Sequence, residues 1–106
     1  MAIKELKDQN FEKEIIGADK RVVVDFWAPW CGHCIKMQVV LGEVEKALSG
    51  DDTQICGVNV DIHNNIAKRY NVKSIPTMLL FEDGIPVKRF VGSASKDEVL
   101  DWLNYT

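Results

Sequence analysis

An apolar run, Val22-Val23-Val24-Asp25-Phe26-Trp27, passes through Ala28-Pro29 into Trp30-Cys31-Gly32-His33-Cys34 and then into a stretch with helical periodicity. A strand that is apolar on both alternating faces has to be covered on both sides, so this run belongs in the middle of a sheet flanked by helices. Two cysteines three residues apart at the strand-to-helix junction read as a redox pair. On a helix, positions i and i+3 share a face with Cβ atoms roughly 5–6 Å apart, and small adjustments bring them to the roughly 3.5–4.5 Å of a disulfide. The pair can open and close without a large rearrangement. Cys31, at the helix N-terminus, meets unpaired backbone N–H groups and the positive end of the macrodipole, which stabilise a thiolate. Cys34, one turn in, is expected to be more buried and less acidic, which separates an attacking thiol from a resolving one.

Periodicity and punctuation along the rest of the chain predict the order βαβαβαββα. Asn10 reads as the N-cap of a short helix carrying Phe11 and Ile15. The main helix, from about Cys34 to Leu48, sets Met37, Val40, Leu41, Val44 and Leu48 on one face, with Gly42 costing about 1 kcal/mol relative to Ala. Ile55 to Asn59 or Val60 is the next strand, and Asp61 is expected to cap a short helix with Ile66, Ala67 and Tyr70, stopped by Asn71 in the left-handed region. Met78 to Phe81 and Pro86 to Val91 flank Asp83-Gly84, a hairpin signal, and Pro86 marks an edge strand because proline cannot donate to a ladder. Ser95 and Glu98 form a capping box for a last helix that buries Val99, Trp102 and Leu103. The expected fold is α/β, a three-layer α/β/α arrangement with a mixed sheet of about five strands and four helices. Its ligand end lies at the C-terminal edge of the central strands. At 106 residues one domain over 1–106 is expected.

Thirteen basic residues stand against sixteen acidic ones, with no Lys/Arg cluster, so nucleic acid and anionic membrane are not expected as partners. No run of about 18 apolar residues occurs, and the opening Met1-Ala2-Ile3-Lys4-Glu5-Leu6-Lys7 turns polar at once. The expectation is a cytosolic protein. A third cysteine, Cys56, lies in an apolar run and reads as an inert core thiol. A pair plus a bystander fits a reducing compartment. Structural zinc needs four ligands, and beyond Cys31 and Cys34 only Cys56, His33 and His63 are available; His33 is poorly placed between the two cysteines. No metal and no cofactor are expected, and His63 reads as an exposed helix residue. Asp25, in the middle of an apolar strand, is a buried carboxyl whose pKa should be raised. It reads as a proton shuttle for Cys34, or else as a hydrogen-bonded structural carboxylate.

Across essentially its whole length the chain resembles the thioredoxin family. The resemblance is carried by Val24-Asp25-Phe26-Trp27-Ala28, Trp30-Cys31-Gly32 with Cys34, Asn59-Val60-Asp61, Ile75-Pro76-Thr77, Phe81 with Asp83-Gly84, and Val91-Gly92, in the family's order and spacing. It implies a thioredoxin-like fold in which the Cys31 thiolate attacks a disulfide of a target protein and Cys34 resolves the mixed disulfide. A thioredoxin reductase would restore the dithiol, and a monomer is expected. Only about 5–6% of X–Pro bonds are cis, so the sequence alone favours trans for Pro76, whereas the resemblance implies a cis proline packed against the cysteines. The backbone at Ile75 could then pair with an extended target segment. Trp30, Val60, Ile75, Val91 and Gly92 would line an apolar patch around Cys31.

Four positions depart from the family's usual pattern. His33 stands where proline is usual and looks like the active domains of protein disulfide isomerase. Val39 replaces a helix proline, Gly57 a common basic residue, and Ile35 a common lysine. An imidazole or N–H at His33 would stabilise the Cys31 thiolate and favour the dithiol form, making the couple a better oxidant; Gly32, His33 and Pro76 are therefore the expected tuning positions. With Gly57 no ammonium group stands beside Asp25. The leading reading is a reductant of protein disulfides. An isomerase-type oxidant and a non-catalytic adaptor or metal-binding domain are the alternatives.

Overall fold

The computed structural model describes residues 3–48 and 53–104. The elements follow the expected order: β1 (Lys4–Glu5), α1 (Phe11–Ile16), β2 (Arg21–Trp27), α2 (Gly32–Ala47), β3 (Thr53–Asn59), α3 (Asn64–Arg69), β4 (Thr77–Glu82), β5 (Ile85–Val91) and α4 (Lys96–Asn104). The five strands form one mixed sheet in the order β1-β3-β2-β4-β5. β1 and β2 both run parallel to β3, while β4 runs antiparallel to β2 and to β5.

β2 holds the centre because residues 22 to 26 are all buried, as its two-sided apolar pattern requires. Its pleat divides the core. Val22, Val24 and Phe26 pack with Phe11, Ile15, Ile66 and Phe81 on one face. Val23 packs with Met37, Leu41, Val44, Val99 and Leu103 on the other. Since successive side chains alternate, Asp25 shares the face of Val23, under α2. Phe11, Tyr70 and Phe81 tie the first face together through tilted and edge-on contacts 5.3–5.8 Å between centroids.

The turn chemistry follows the sequence closely. Asp83 and Gly84 both have positive φ, 55° and 77°, the two-residue turn whose twist matches a hairpin. Asn71, φ 58°, lies just past α3, and Pro86 sits on the edge strand β5. Ser95 N donates to Glu98 Oε1 at 3.0 Å and Glu98 N donates back to Ser95 Oγ at 3.1 Å, closing the capping box.

Local readings fail where a competing contact takes the side chain or the backbone. α2 begins at Gly32, not Cys34, because Cys31 itself is the N-cap. Asn10 occupies the N-cap of α1 but does not cap it; its Oδ1 accepts from Lys7 N at 2.8 Å instead. Asp61 caps nothing. Asn59 O accepts from both Ile62 N and His63 N, which makes a turn of residues 59–63 and delays α3 to Asn64. His63 is not an exposed helix residue: it is half-buried just ahead of α3, and its Nδ1 accepts from Asp8 N at 3.3 Å. Trp102 is partly buried at the margin of the core, edge-on to Phe90.

Candidate functional site

β2 delivers the chain to the C-terminal edge of the sheet, where Cys31 N donates to Ala28 O at 3.2 Å and turns it into α2. Cys31 keeps an extended conformation, φ −94° and ψ 108°, and its Sγ accepts from Cys34 N at 3.2 Å. The sulfur therefore occupies the position of a capping oxygen and satisfies a first-turn N–H that would otherwise lack a partner. Cys31 and Cys34 are joined as a disulfide with their Cα atoms 5.2 Å apart, the oxidised form of the pair. Cys31 retains 8% exposure and Cys34 none. A sulfur from outside can approach Cys31 but not Cys34.

The surroundings come from four separated segments. Trp27, Val60 and Ile75 pack against Ala28, Cys31 and Cys34. The Ile75-Pro76 bond is cis and Pro76 is buried. Gly92, φ 100°, donates its N–H to Pro76 O at 2.8 Å. Trp30 is 70% exposed, yet its indole is fixed, Nε1 donating to both carboxylate oxygens of Asp61 at 2.9 and 3.1 Å. It forms one wall of a groove of about 210 Å³ with Val60, Ala67, Val72, Lys73, Ser74 and Ile75. Val91 and Gly92 do not line that groove; they adjoin the Pro76 segment, Val91 pairing with Thr77. Gly32 and His33 are exposed in the first turn of α2, and a Cβ on Gly32 would meet open space.

Asp25 is 1% exposed, and its Oδ1 has no hydrogen-bond partner among the described residues. Burial, and secondarily the negative charge of Glu5, push its carboxyl up to about 8. Glu5 lies on the edge strand with Trp27 Nε1 donating to its Oε1 at 2.9 Å. Burial also raises the Glu5 carboxyl, opposed by the Trp27 hydrogen bond and by His63. Cys56 sits on the opposite face of the sheet, where burial pushes its thiol up to about 11 and leaves it inert at neutral pH. Among the described residues no three His, Cys, Asp or Glu side chains converge as metal ligands. No described helix is long and apolar enough to cross a membrane.

Exchange through a mixed disulfide requires one sulfur that a partner can reach and a second it cannot, close enough to displace it. On a mixed sheet covered by helices on both faces, that arrangement defines a protein dithiol–disulfide oxidoreductase. A family model described as Thioredoxin matches residues 2–105, and the chain belongs to the thioredoxin family. It is 44% identical over 99 residues to a thioredoxin of Mycolicibacterium smegmatis, covering 92% of this chain and 88% of that one. It is 40% identical over 103 residues to a thioredoxin of Mycoplasma genitalium, covering 96% and 98%. With a thioredoxin of Rickettsia felis it shares 38% identity over 97 residues, covering 92% and 91%. The protein exchanges dithiol for disulfide with partner proteins through Cys31 and Cys34, in the manner of this family.

Sequence reasoning missed three features of the site. Asp61 was expected at a helix end and instead anchors Trp30. Val72, Lys73 and Ser74 were assigned no role, since a short irregular segment carries no periodicity. Glu5 belongs to a strand of two residues, too short for any alternation to show.

The burial of Asp25 has a measurable consequence for stability. Unfolded, its carboxyl ionises near 3.8; folded, near 8. Between these values the folded state holds a proton that the unfolded chain has lost, so stability falls as pH rises, by up to about 1.4 kcal/mol per pH unit, and levels off above the folded value. Asp25→Asn removes this slope. In urea unfolding at fixed ionic strength, the variant's advantage over wild type grows from about pH 4 to about pH 8 and is constant beyond. Parallel curves for the two proteins would show that the carboxyl is compensated.

Proposed function

We propose that the chain works as a reductant of protein disulfides, with Cys31 as nucleophile and Cys34 as resolving thiol. The observation that carries this is the difference in exposure between the two bonded cysteines, 8% for Cys31 against none for Cys34. In the dithiol form the Cys31 thiolate, at the N-terminus of the 16-residue α2, attacks a partner disulfide. One partner sulfur leaves with the electron pair and the other stays bonded to Cys31. Cys34 gives its proton to the Asp25 carboxylate and attacks the Cys31 sulfur. The Cys31–partner bond breaks and the second partner sulfur departs as a thiolate. The oxidised pair is then returned to the dithiol by a thioredoxin reductase.

The target segment runs as an added strand against the backbone of Ile75, before the cis Pro76, between Trp30 and Val60 on one side and Val91-Gly92 on the other. Such pairing takes affinity from main-chain hydrogen bonds and selectivity from side-chain pockets. Gly32 leaves the approach to Cys31 open. We assign the protein to a reducing, cytoplasmic environment as a single-domain monomer without nucleic-acid or membrane partners, supported by its net charge of −3, its lack of a basic cluster and its similarity to bacterial thioredoxins.

One residue favours a second reading. His33 in the first turn of α2 gives the pair the Cys-Gly-His-Cys sequence of protein disulfide isomerase domains, and a donor there favours the dithiol, hence a more oxidising couple.

Three outcomes are expected. With insulin as target, Cys31→Ser abolishes reduction, whereas Cys34→Ser accumulates a mixed disulfide seen by intact mass; free turnover by Cys34→Ser would refute the division of labour. Asp25→Asn slows resolution of that mixed disulfide about 10²-fold, the low end of general-base contributions, and an unchanged rate would remove Asp25 from proton transfer. His33→Pro makes the potential of the couple more negative, and an unaltered potential would leave His33 without a tuning role.

A further inference from the structure

We propose that Glu5 is a positioning residue for the resolving step, acting through Asp25. The two carboxyls form a pair across the strand row Glu5–Gly57–Asp25 and together govern the proton that Cys34 gives up. The inference rests on the reading of Asp25 as the acceptor of that proton.

The row is set by the sheet. Glu5 on β1 is in register with Gly57 on β3, and Gly57 with Asp25 on β2, all in parallel pairing. Residues in register on neighbouring strands point to the same face, so both carboxyls stand on the α2 face with a glycine between them. That glycine is the gap. A Cβ at position 57 would overlap Glu5 Oε2 and lie 3.1 Å from Trp27 Nε1. The volume a side chain would fill at Gly57 is taken by the Glu5 carboxyl, which the Trp27 indole N–H holds in place at 2.9 Å. The gap at Gly57 admits an anion from the sheet edge.

The groups facing Asp25 leave Glu5 as its charged neighbour. From β3 the row supplies Gly57, and from β4 it supplies the apolar Met78. From α2 this face is covered by the apolar Met37, Leu41 and Val44. Lys4 belongs to the opposite face, in register with Cys56 and paired with Glu14. His63 acts on Glu5 and lies 3.7 Å from Asp8. With Asp25 Oδ1 buried and without a partner among the described residues, an ionised Glu5 disfavours a second negative charge on the row, and the two sites titrate as a coupled pair. Below the pH at which Asp25 ionises, it holds a proton and cannot accept one from Cys34. Removing the Glu5 charge lets Asp25 ionise at lower pH and shifts the pH dependence of resolution the same way.

The test is Glu5→Gln, which keeps an acceptor for Trp27 Nε1 and changes only the charge. Asp25 is followed by 13C NMR of its carboxyl in the oxidised protein, and resolution of a preformed mixed disulfide is followed by stopped flow across the same pH range. The expected result is a shift of both the Asp25 midpoint and the rising limb of the rate to lower pH. In an Asp25→Asn background Glu5→Gln leaves the rate profile unmoved. An Asp25 midpoint that is the same in wild type and Glu5→Gln overturns the carboxyl pair while leaving Asp25 its own role. A midpoint that shifts while the rate profile stays fixed overturns Asp25 as the acceptor, and the role of Glu5 with it.

Discussion

Asp25 places a carboxyl in the central strand of the sheet, one pleat along from Val23 and surrounded by apolar neighbours on β2 and β4. The hydrophobic cover that buries residues 22 to 26 of β2 also makes it a poor place for a charge, and a buried carboxylate without a cation gives up its charge rather than its position. The resulting neutral acid is tolerated because α2 closes over that face, with Met37, Leu41 and Val44 filling the layer beside it. The helix that seals the carboxyl is the one whose first turn carries the disulfide. Stability is therefore lower than an apolar residue would give, and the loss falls at the site, where a group able to exchange a proton near neutral pH is of use.

The redox pair depends on how the chain passes from strand to helix. An extended Cys31 as N-cap brings its sulfur onto the Cys34 N–H and keeps a small exposed fraction, while the helical spacing buries Cys34 completely. One backbone conformation thus sets both the thiolate stabilisation and the proposed order of attack. Around it, pieces from distant parts of the chain close the site: the Trp30 indole held by Asp61, and the Pro76 carbonyl held by Gly92 N–H. The Asp61 hydrogen bonds order an indole that stands in solvent, so that wall of the groove is set in advance and, on the proposed mode of binding, less ordering has to occur.

Elements with strong local signals were legible in the sequence. The two-sided apolar run gave β2, the Asp83-Gly84 pair gave the hairpin, the Ser95/Glu98 spacing gave the start of α4, and Cys31 and Cys34 announced themselves by spacing and position. What escaped was long-range. Asp61 carries a cap-forming side chain but holds Trp30, 31 positions away; Asn10 is the local exception, its side chain taken by Lys7 N three residues back. His63 reads as an exposed helix residue because its hydrogen-bond partner, Asp8, lies 55 positions away. Gly57 was noticed only as a missing cation. That its emptiness lets Glu5 in is a property of strand register, which a two-residue β1 does not advertise.

The electrostatic elements of the site pull the couple in opposite directions. The α2 N-terminus favours the Cys31 thiolate and so the dithiol form, and the proposed donor at His33 would add to it, whereas the negative charge of Glu5, and that of Asp25 once it ionises, repels a further negative charge nearby and favours the closed disulfide. A reductant requires the second influence to be substantial. The most direct measurement is the reduction potential of Cys31/Cys34, by equilibration against glutathione buffers at pH 7. The account predicts a value near the roughly −270 mV of thioredoxins, a family figure rather than one obtained from this geometry. A value near roughly −180 mV, that of protein disulfide isomerase, would contradict it and make the protein an oxidant governed by His33.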